Sequence, residues 1–194
     1  MVMGKVLFLV AILMQIVIRS PYRDSAKKAQ TDCEEKLLLT LFTIGGLLLP
    51  LVYVFTDWLA FADYPVWLSS LEVIGIGIVI MLAGLWVFWR SHHDLGHNWS
   101  PTLEIHQQHA LVTQGIYRQI RHPMYSAGWL MMIAQVFLLS NWIAGWGGMI
   151  TFGLMYFLRV AKEEHMMLEE FGEPYQHYMS QTGRVIPKRL LNRQ

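Results

Sequence analysis

The chain has 194 residues, 54% hydrophobic and 15% charged, with a formal net charge of +1. A soluble domain carries about a quarter charged residues, and the apolar residues here are gathered into long runs, so the composition excludes an ordinary soluble domain and indicates a multi-pass membrane protein. No basic stripe is interleaved with aromatics, which excludes a nucleic-acid partner, and the lone Cys33 excludes an intrachain disulfide or a multi-cysteine metal site.

In chain order, the first apolar run is Val6 to Ile18, extending back to Met1 if Lys5 snorkels to the headgroups. It is short for a span, but Arg19-Ser20-Pro21-Tyr22-Arg23 follows it where a signal peptide would have a small-residue cleavage site, so a retained span is expected. Crossing a hydrocarbon core takes about 20 apolar residues. Leu37 to Thr56 fits, with Pro50 as the expected kink. Val66 to Trp89 fits too, with Trp67, Trp86 and Trp89 as interfacial anchors and Glu72 snorkelling or packing at its outer end. Met124 to Leu158 is uncharged over 35 positions. As one helix it would be about 50 Å long, too long for a single crossing. Ser140-Asn141-Trp142 is its turn-like break, so a tight hairpin with two short arms is expected. The resulting architecture is all-α: a single domain over residues 1–194, a multi-pass bundle of about five transmembrane helices with C-terminal helices beyond it.

Lysine and arginine placement orients this bundle. With the N-terminus outside, the segments 19–36, 90–121 and 159 onward face the cytosol and hold all of the 15 basic residues except Lys5, while the loop from Asp57 to Pro65 has none. The eight histidines fall on the same side. The sequence leaves the plasma membrane and the endoplasmic reticulum equally open.

Each cytosolic segment carries candidate chemistry. In Arg90 to Ser100, His92, His93, Asp94 and His97 have the types of metal ligands, but Gly96 and Asn98 favour a turn and no His-rich partner motif follows, so a polar loop at headgroup level, without metal, is expected. In His109 to Gly128, Pro123 suits the first turn of a helix, His122 before it is pushed towards extended backbone, and Gly115 can supply a turn with positive φ. Leu111 to Tyr117 is then a loop with backbone amides open to a ligand, or an ordinary connection. In Arg159 to Pro187, Arg159 and Glu163 share a helix face, either as a surface ion pair or as part of a site. Leu168, Phe171, Tyr175 and Tyr178 make an apolar face, Gly172 can stop one helix and Pro174 start the next. If the uncharged segment is a hairpin, its two polar ends meet, and ionisable groups at a membrane boundary mark a site.

RHPMYSAG, preceded by HALVTQGIY and followed by EEHMMLEEFGEPYQHYMSQTGRVIP, resembles the isoprenylcysteine carboxyl methyltransferase family. The likeness covers His109 to Pro187, within a family-like catalytic half over 90–189. It implies an integral-membrane enzyme that takes a methyl group from S-adenosylmethionine, leaving S-adenosylhomocysteine, at a pocket on the cytosolic face. By that likeness His109, Leu111, Val112, Gly115, Tyr117, His122, Tyr125 and Glu164 bind the cofactor. Glu163 is the other of the paired glutamates, and Arg159 matches an arginine upstream of them. One departure stands out: the family has glycine two residues after the tyrosine of its RHP motif, where this chain has Ala127 followed by Gly128.

The chemistry of these residues agrees with the likeness. A sulfonium suits carboxylates and aromatic faces, and an amino-acid carboxylate suits histidine or backbone N–H groups. Arg159 could grip an acceptor carboxylate with Glu163 orienting it. The acceptor implied is a lipid-tailed carboxylate such as a prenylated cysteine, met beside membrane lipid, with no obligate protein partner evident. Rival readings are a phospholipid-amine or small-thiol methyltransferase of the same fold, a sterol-reductase-like NADPH enzyme, and a non-enzymatic membrane scaffold. The reductase would need a phosphate-binding set of arginines in a region modest in Arg.

Overall fold

The computed structural model describes residues 2–22, 33–65, 70–96 and 111–191. His109, His97 and the expected span start at Val66 and Trp67 lie outside the described residues. The described residues are mostly helical, with two isolated bridges among them, Asp63 with Asn141 and Ile120 with Gly183. Helix α1 is Val2–Arg19; α2 is Cys33–Thr43, continuing through a π-helical turn at Ile44–Leu48 into α3, Leu49–Phe55. Then come α4 (Leu71–Leu95), α5 (Pro123–Leu138), α6 (Trp142–Phe171), α7 (Glu173–Gln181) and the short α8 (Lys188–Leu191). Among the described residues, four stretches are long and apolar enough to cross a membrane: Val2–Tyr22, Cys33–Phe55, Leu71–Leu95 and Trp142–Phe171. The fifth, α5, is apolar but has 16 residues, as a short hairpin arm should.

Local rules fix the ends. Asn141 caps α6, accepting from Ile143 N at 3.0 Å and Ala144 N at 2.9 Å. Its own amide donates to Leu59 O at 2.7 Å and Asp63 Oδ1 at 2.9 Å, so this fully buried turn residue is satisfied on every side. Pro50 acts one turn early. Its ring would press on the Gly46 carbonyl of an α-helix, and the wider π turn just before it makes room. Two helices run past their apolar stretch. The expected loop after Trp89 is helical to Leu95, ending at Gly96 with φ +56°, and α6 continues from Leu158 to Phe171. Composition changes where lipid ends, but nothing there breaks a helix.

The helices alternate in direction. Lys5 Nζ donates to Tyr53 O at 2.8 Å, joining the start of α1 to the end of α3 on the outer side. At the opposite end Lys162 Nζ meets Glu34 Oε2 at 2.6 Å, and Tyr22 packs on His92. The core lies among α4, α5 and α6, built on Met81, Leu85, Ala127, Met131, Phe152 and Met155. Lipid is as apolar as these side chains, so helices gain by close approach more than by hydrophobic burial. Thus Gly45 leaves no room for a Cβ, which would stand 2.4 Å from Thr151 Oγ1 and 2.5 Å from the Gly147 carbonyl. The outer faces are apolar and exposed, as in Leu13, Val17, Val79, Ile150, Leu154 and Phe157, which suits lipid and not water. The protein is a multi-pass membrane helical bundle.

Candidate active site

The hairpin of α5 and α6 brings its two polar ends together. Pro123 occupies the first turn of α5, and His122 before it has φ −121°. That conformation turns the His122 ring towards α6, with Nδ1 3.5 Å from Glu163 Oε2 and Nε2 3.3 Å from Glu164 Oε1. Burial pulls the imidazole pKa down, but the hydrogen bonds and charges of the two glutamates outweigh it, and the net value is raised above 6.5.

The adjacent glutamates serve different networks. Glu163 Oε1 accepts from Tyr125 Oη at 2.7 Å and from Arg159 Nε at 3.1 Å. Arg159 is buried, and its Nη2 lies 3.0 Å from Glu35 Oε1 on α2. So the pair expected on one helix face is a buried cluster reaching a second helix. Glu164, 5% exposed, is gripped by two arginines. Arg121 donates from Nε to its Oε1 at 3.1 Å, and Arg184 Nε to the same oxygen at 3.0 Å, while Arg184 Nη2 bonds Oε2 closely. The Glu164 carboxylate holds the Arg184 guanidinium pKa above its ordinary value.

Backbone pairing explains why the tail comes here. Arg121 N donates to Gly183 O at 2.8 Å and His122 N to Arg184 O at 2.9 Å, so residues after α7 lie alongside the approach to α5. Arg121 Nη1 also donates to Thr182 O at 2.6 Å and Met179 O at 3.3 Å, a cation closing the end of α7. Ser126 Oγ fixes Val185 O at 2.6 Å.

The third segment meets the others through Asp94. Its Oδ2 accepts from Ile116 N at 2.8 Å and Arg90 Nη2 at 2.9 Å, and a Cβ on Gly115 would fall 2.1 Å from it. Gly115, with φ +59°, therefore lets the turn of residues 115–118 sit on the end of α4. Asp94 is thus a cap in this structure, and the buried His92 bonds Phe88 O through Nδ1 at 2.9 Å. Tyr117 is buried, donates to Ser91 O at 3.4 Å and accepts from Tyr178 Oη at 2.6 Å through its carbonyl. Beside it a groove of about 680 Å³ opens between this loop and α7, lined among others by Leu111, Gln114, Gly115, Arg118, Tyr178 and Thr182.

Of the residues singled out in the sequence, Arg159, Glu163, Glu164, His122 and Tyr125 form one contact network, Leu111 and Gly115 line the groove, and Val112 and Tyr117 stand beside it. The sequence reading gave no role to Arg184, Arg118 or Glu35, weighed Asp94 only as a metal ligand, and named Arg121 only as part of the RHP motif. Glu35 had one signal: an acid at the start of an apolar run with no basic residue three or four positions on.

Residues 75–169 match the isoprenylcysteine carboxyl methyltransferase family. A probable protein-S-isoprenylcysteine O-methyltransferase of Oryza sativa subsp. indica is 25% identical over 114 residues, covering 58% of this chain and 60% of that protein. The protein-S-isoprenylcysteine O-methyltransferase of Dictyostelium discoideum is 26% identical over 148 residues, covering 73% and 59% respectively. The human protein of that name is 24% identical over 159 residues, covering 79% and 56%. The chain thus spans about 60% of the length of the curated relatives it matches. A solved eukaryotic intramembrane Ras methyltransferase, an isoprenylcysteine carboxyl methyltransferase, superposes with a TM-score of 0.54 at 20% identity over 94% of this chain and 62% of that one, a likeness of fold.

Proposed function

We propose, from residues 75–169 belonging to the isoprenylcysteine carboxyl methyltransferase family, that the whole chain is one integral-membrane domain that methyl-esterifies the carboxylate of a lipid-tailed, prenylated cysteine. The observation that carries this reading is the Arg159–Glu163–Tyr125 cluster, buried at one end of the bundle and continuous with an apolar aromatic face. Tyr125 packs on Tyr156, Tyr156 on Phe157, and Phe157 is 69% exposed towards the lipid side. A lipid tail can lie along that face while its carboxylate reaches Arg159 without leaving the bilayer.

The groove beside Gly115 has the size of small-ligand pockets. Its residues also fit S-adenosylmethionine in kind: the Arg118 cation and the Gln114 amide suit an amino-acid carboxylate, and apolar Leu111 and the Tyr178 ring suit a base. When bound there, that cofactor supplies an electrophilic methyl group. Leu111 and Gly115 line its seat, Val112 and Tyr117 support it, and His109 joins them by resemblance. His122, Tyr125 and Glu164, which the resemblance also gives to the cofactor, do not line the groove and belong to the neighbouring charge network. Both Glu164 oxygens already hold arginines, so this carboxylate acts by fixing Arg121 and the tail over the seat.

An acceptor carboxylate is ionised already, so no general base is needed. Alignment and exclusion of water are. Arg159 holds the acceptor and Glu163, fixed by Tyr125, aims Arg159. The basic residues at this end support a cytosolic site. Reduction with NADPH is disfavoured because Arg121 and the exposed Arg184 are both engaged by Glu164 and are not a set open to a phosphate. Calorimetry in nanodiscs tests the class: S-adenosylmethionine binds and reduced nicotinamide does not. The reverse result overturns the proposal.

A further inference from the structure

Glu35 belongs to α2, outside residues 75–169, yet its carboxylate stands inside the charge cluster. Its helix delivers it there. Leu38, one turn on, is in the core, and neighbouring Glu34 pairs with Lys162. A guanidinium presents Nε–H and Nη2–H on one edge, and together they match the two oxygens of one carboxylate. On Arg159 that edge is divided. Glu163 takes Nε at 3.1 Å and Glu35 lies 3.0 Å from Nη2. Glu35 Oε1 is buried and makes no aligned hydrogen bond there.

A third carboxylate cannot join this edge at full charge, because like charges in one site disfavour each other. One of the two present must yield. Glu163 is held from other sides as well, by Tyr125 at 2.7 Å and His122 at 3.5 Å. Among the described residues the ion pairing of Glu35 is with Arg159 alone.

We propose that Glu35 is a gate carboxylate on the acceptor site: it occupies the half of the Arg159 edge that the acceptor carboxylate takes, and binding exchanges one for the other. This rests on Arg159 being the acceptor's anchor. The exchange keeps the buried charge constant for an ionised acceptor and gives a neutral analogue nothing with which to displace Glu35. Glu35 therefore sets specificity for a charged headgroup.

The test uses the full chain in nanodiscs, with a prenylated cysteine and its carboxamide as probes. Glu35→Gln should lower the KM for the carboxylate about tenfold, an effect of removing a like charge, with kcat no lower, and should tighten carboxamide binding at least as much, because the seat is no longer held by a charge that a neutral ligand cannot displace. A raised KM, a fall in kcat at unchanged KM, or carboxamide binding unmoved overturns the gate. Should Glu35→Gln fail to fold, Glu35→Asp keeps the charge and withdraws it by one methylene; a KM between parent and the tenfold shift supports the gate, and an unchanged KM overturns it. Arg159→Gln, which removes the cation that a lysine would keep, separates the two levels. If the preference for carboxylate over carboxamide survives in that variant, the anchor reading beneath the proposal fails; if it is lost while Glu35→Gln changes nothing, the gate alone fails.

Discussion

Gly128→Ala tests how tightly the hairpin sets the site. A Cβ at position 128 would stand 2.3 Å from Phe152 Cζ, 2.5 Å from Cε2 and 3.1 Å from Cε1. Carbon atoms rest about 3.5–4.0 Å apart, so the ring must retreat by roughly 1 Å or the helices must part. Phe152 is 4% exposed and packed against Phe42, Trp129 and Tyr125, with ring centroids at 5.4, 5.3 and 6.3 Å. Overpacking of this kind costs about 1–3 kcal/mol. For a chain of this size that lowers Tm by roughly 2–12 °C. Because Tyr125 holds Glu163, kcat should fall further than stability alone explains. Thermal unfolding in detergent and methyl transfer are the assays, with Gly75→Ala, where a Cβ meets nothing within 4 Å, as the control. Adding Phe152→Leu to Gly128→Ala should restore part of the loss. Parental Tm and turnover in Gly128→Ala would refute the reasoning.

Three further outcomes follow from the same geometry. Arg159→Lys should lower turnover strongly while leaving cofactor affinity near the parent value, since a lysine cannot span Glu163 and a carboxylate in one plane; parental kcat would count against the anchor. His122 carries a raised pKa, so its stabilising effect is complete below about pH 6.5 and is lost as pH rises through the raised folded value. The Tm difference between parent and His122→Gln should accordingly shrink as pH climbs, and a difference that grows would contradict the assignment. For topology, a cysteine at exposed Asp57 should be labelled from outside and one at Gln194 should not; Asn141 is unsuitable as a labelling site because it is buried as a cap.

What the sequence made legible was governed by local rules. The apolar runs, the Asn141 break, Pro123 at the head of α5, Gly115 with positive φ and the Gly172–Pro174 junction all follow from preferences of a few residues. The meeting of His122 with Glu163 and Glu164 followed from one further step, the hairpin. Contacts set by packing across the bundle were not legible. Glu35 and Arg159 are joined only because α2 docks on α6, and Arg184 reaches Glu164 only because the tail pairs with residues 119–122. The departure at Ala127 is clearer in three dimensions: Ala127 is fully buried, and Gly128 is the position that meets Phe152. The extension of α4 was missed because polar composition marks the edge of lipid and not the end of a helix, whereas that of α6 was legible from the Arg159–Glu163 spacing and Gly172.

The most direct test is transfer of a labelled methyl group from S-adenosylmethionine to a prenylated cysteine by the full chain in nanodiscs, followed by mild alkali. An ester releases its methyl as volatile methanol, whereas methylated amines and thioethers keep theirs. The account predicts alkali-labile label on the lipid-tailed carboxylate, absent with Arg159→Ala and absent from phospholipid amines and small thiols. Alkali-stable label, or equal efficiency on a tail-less acceptor, would contradict it.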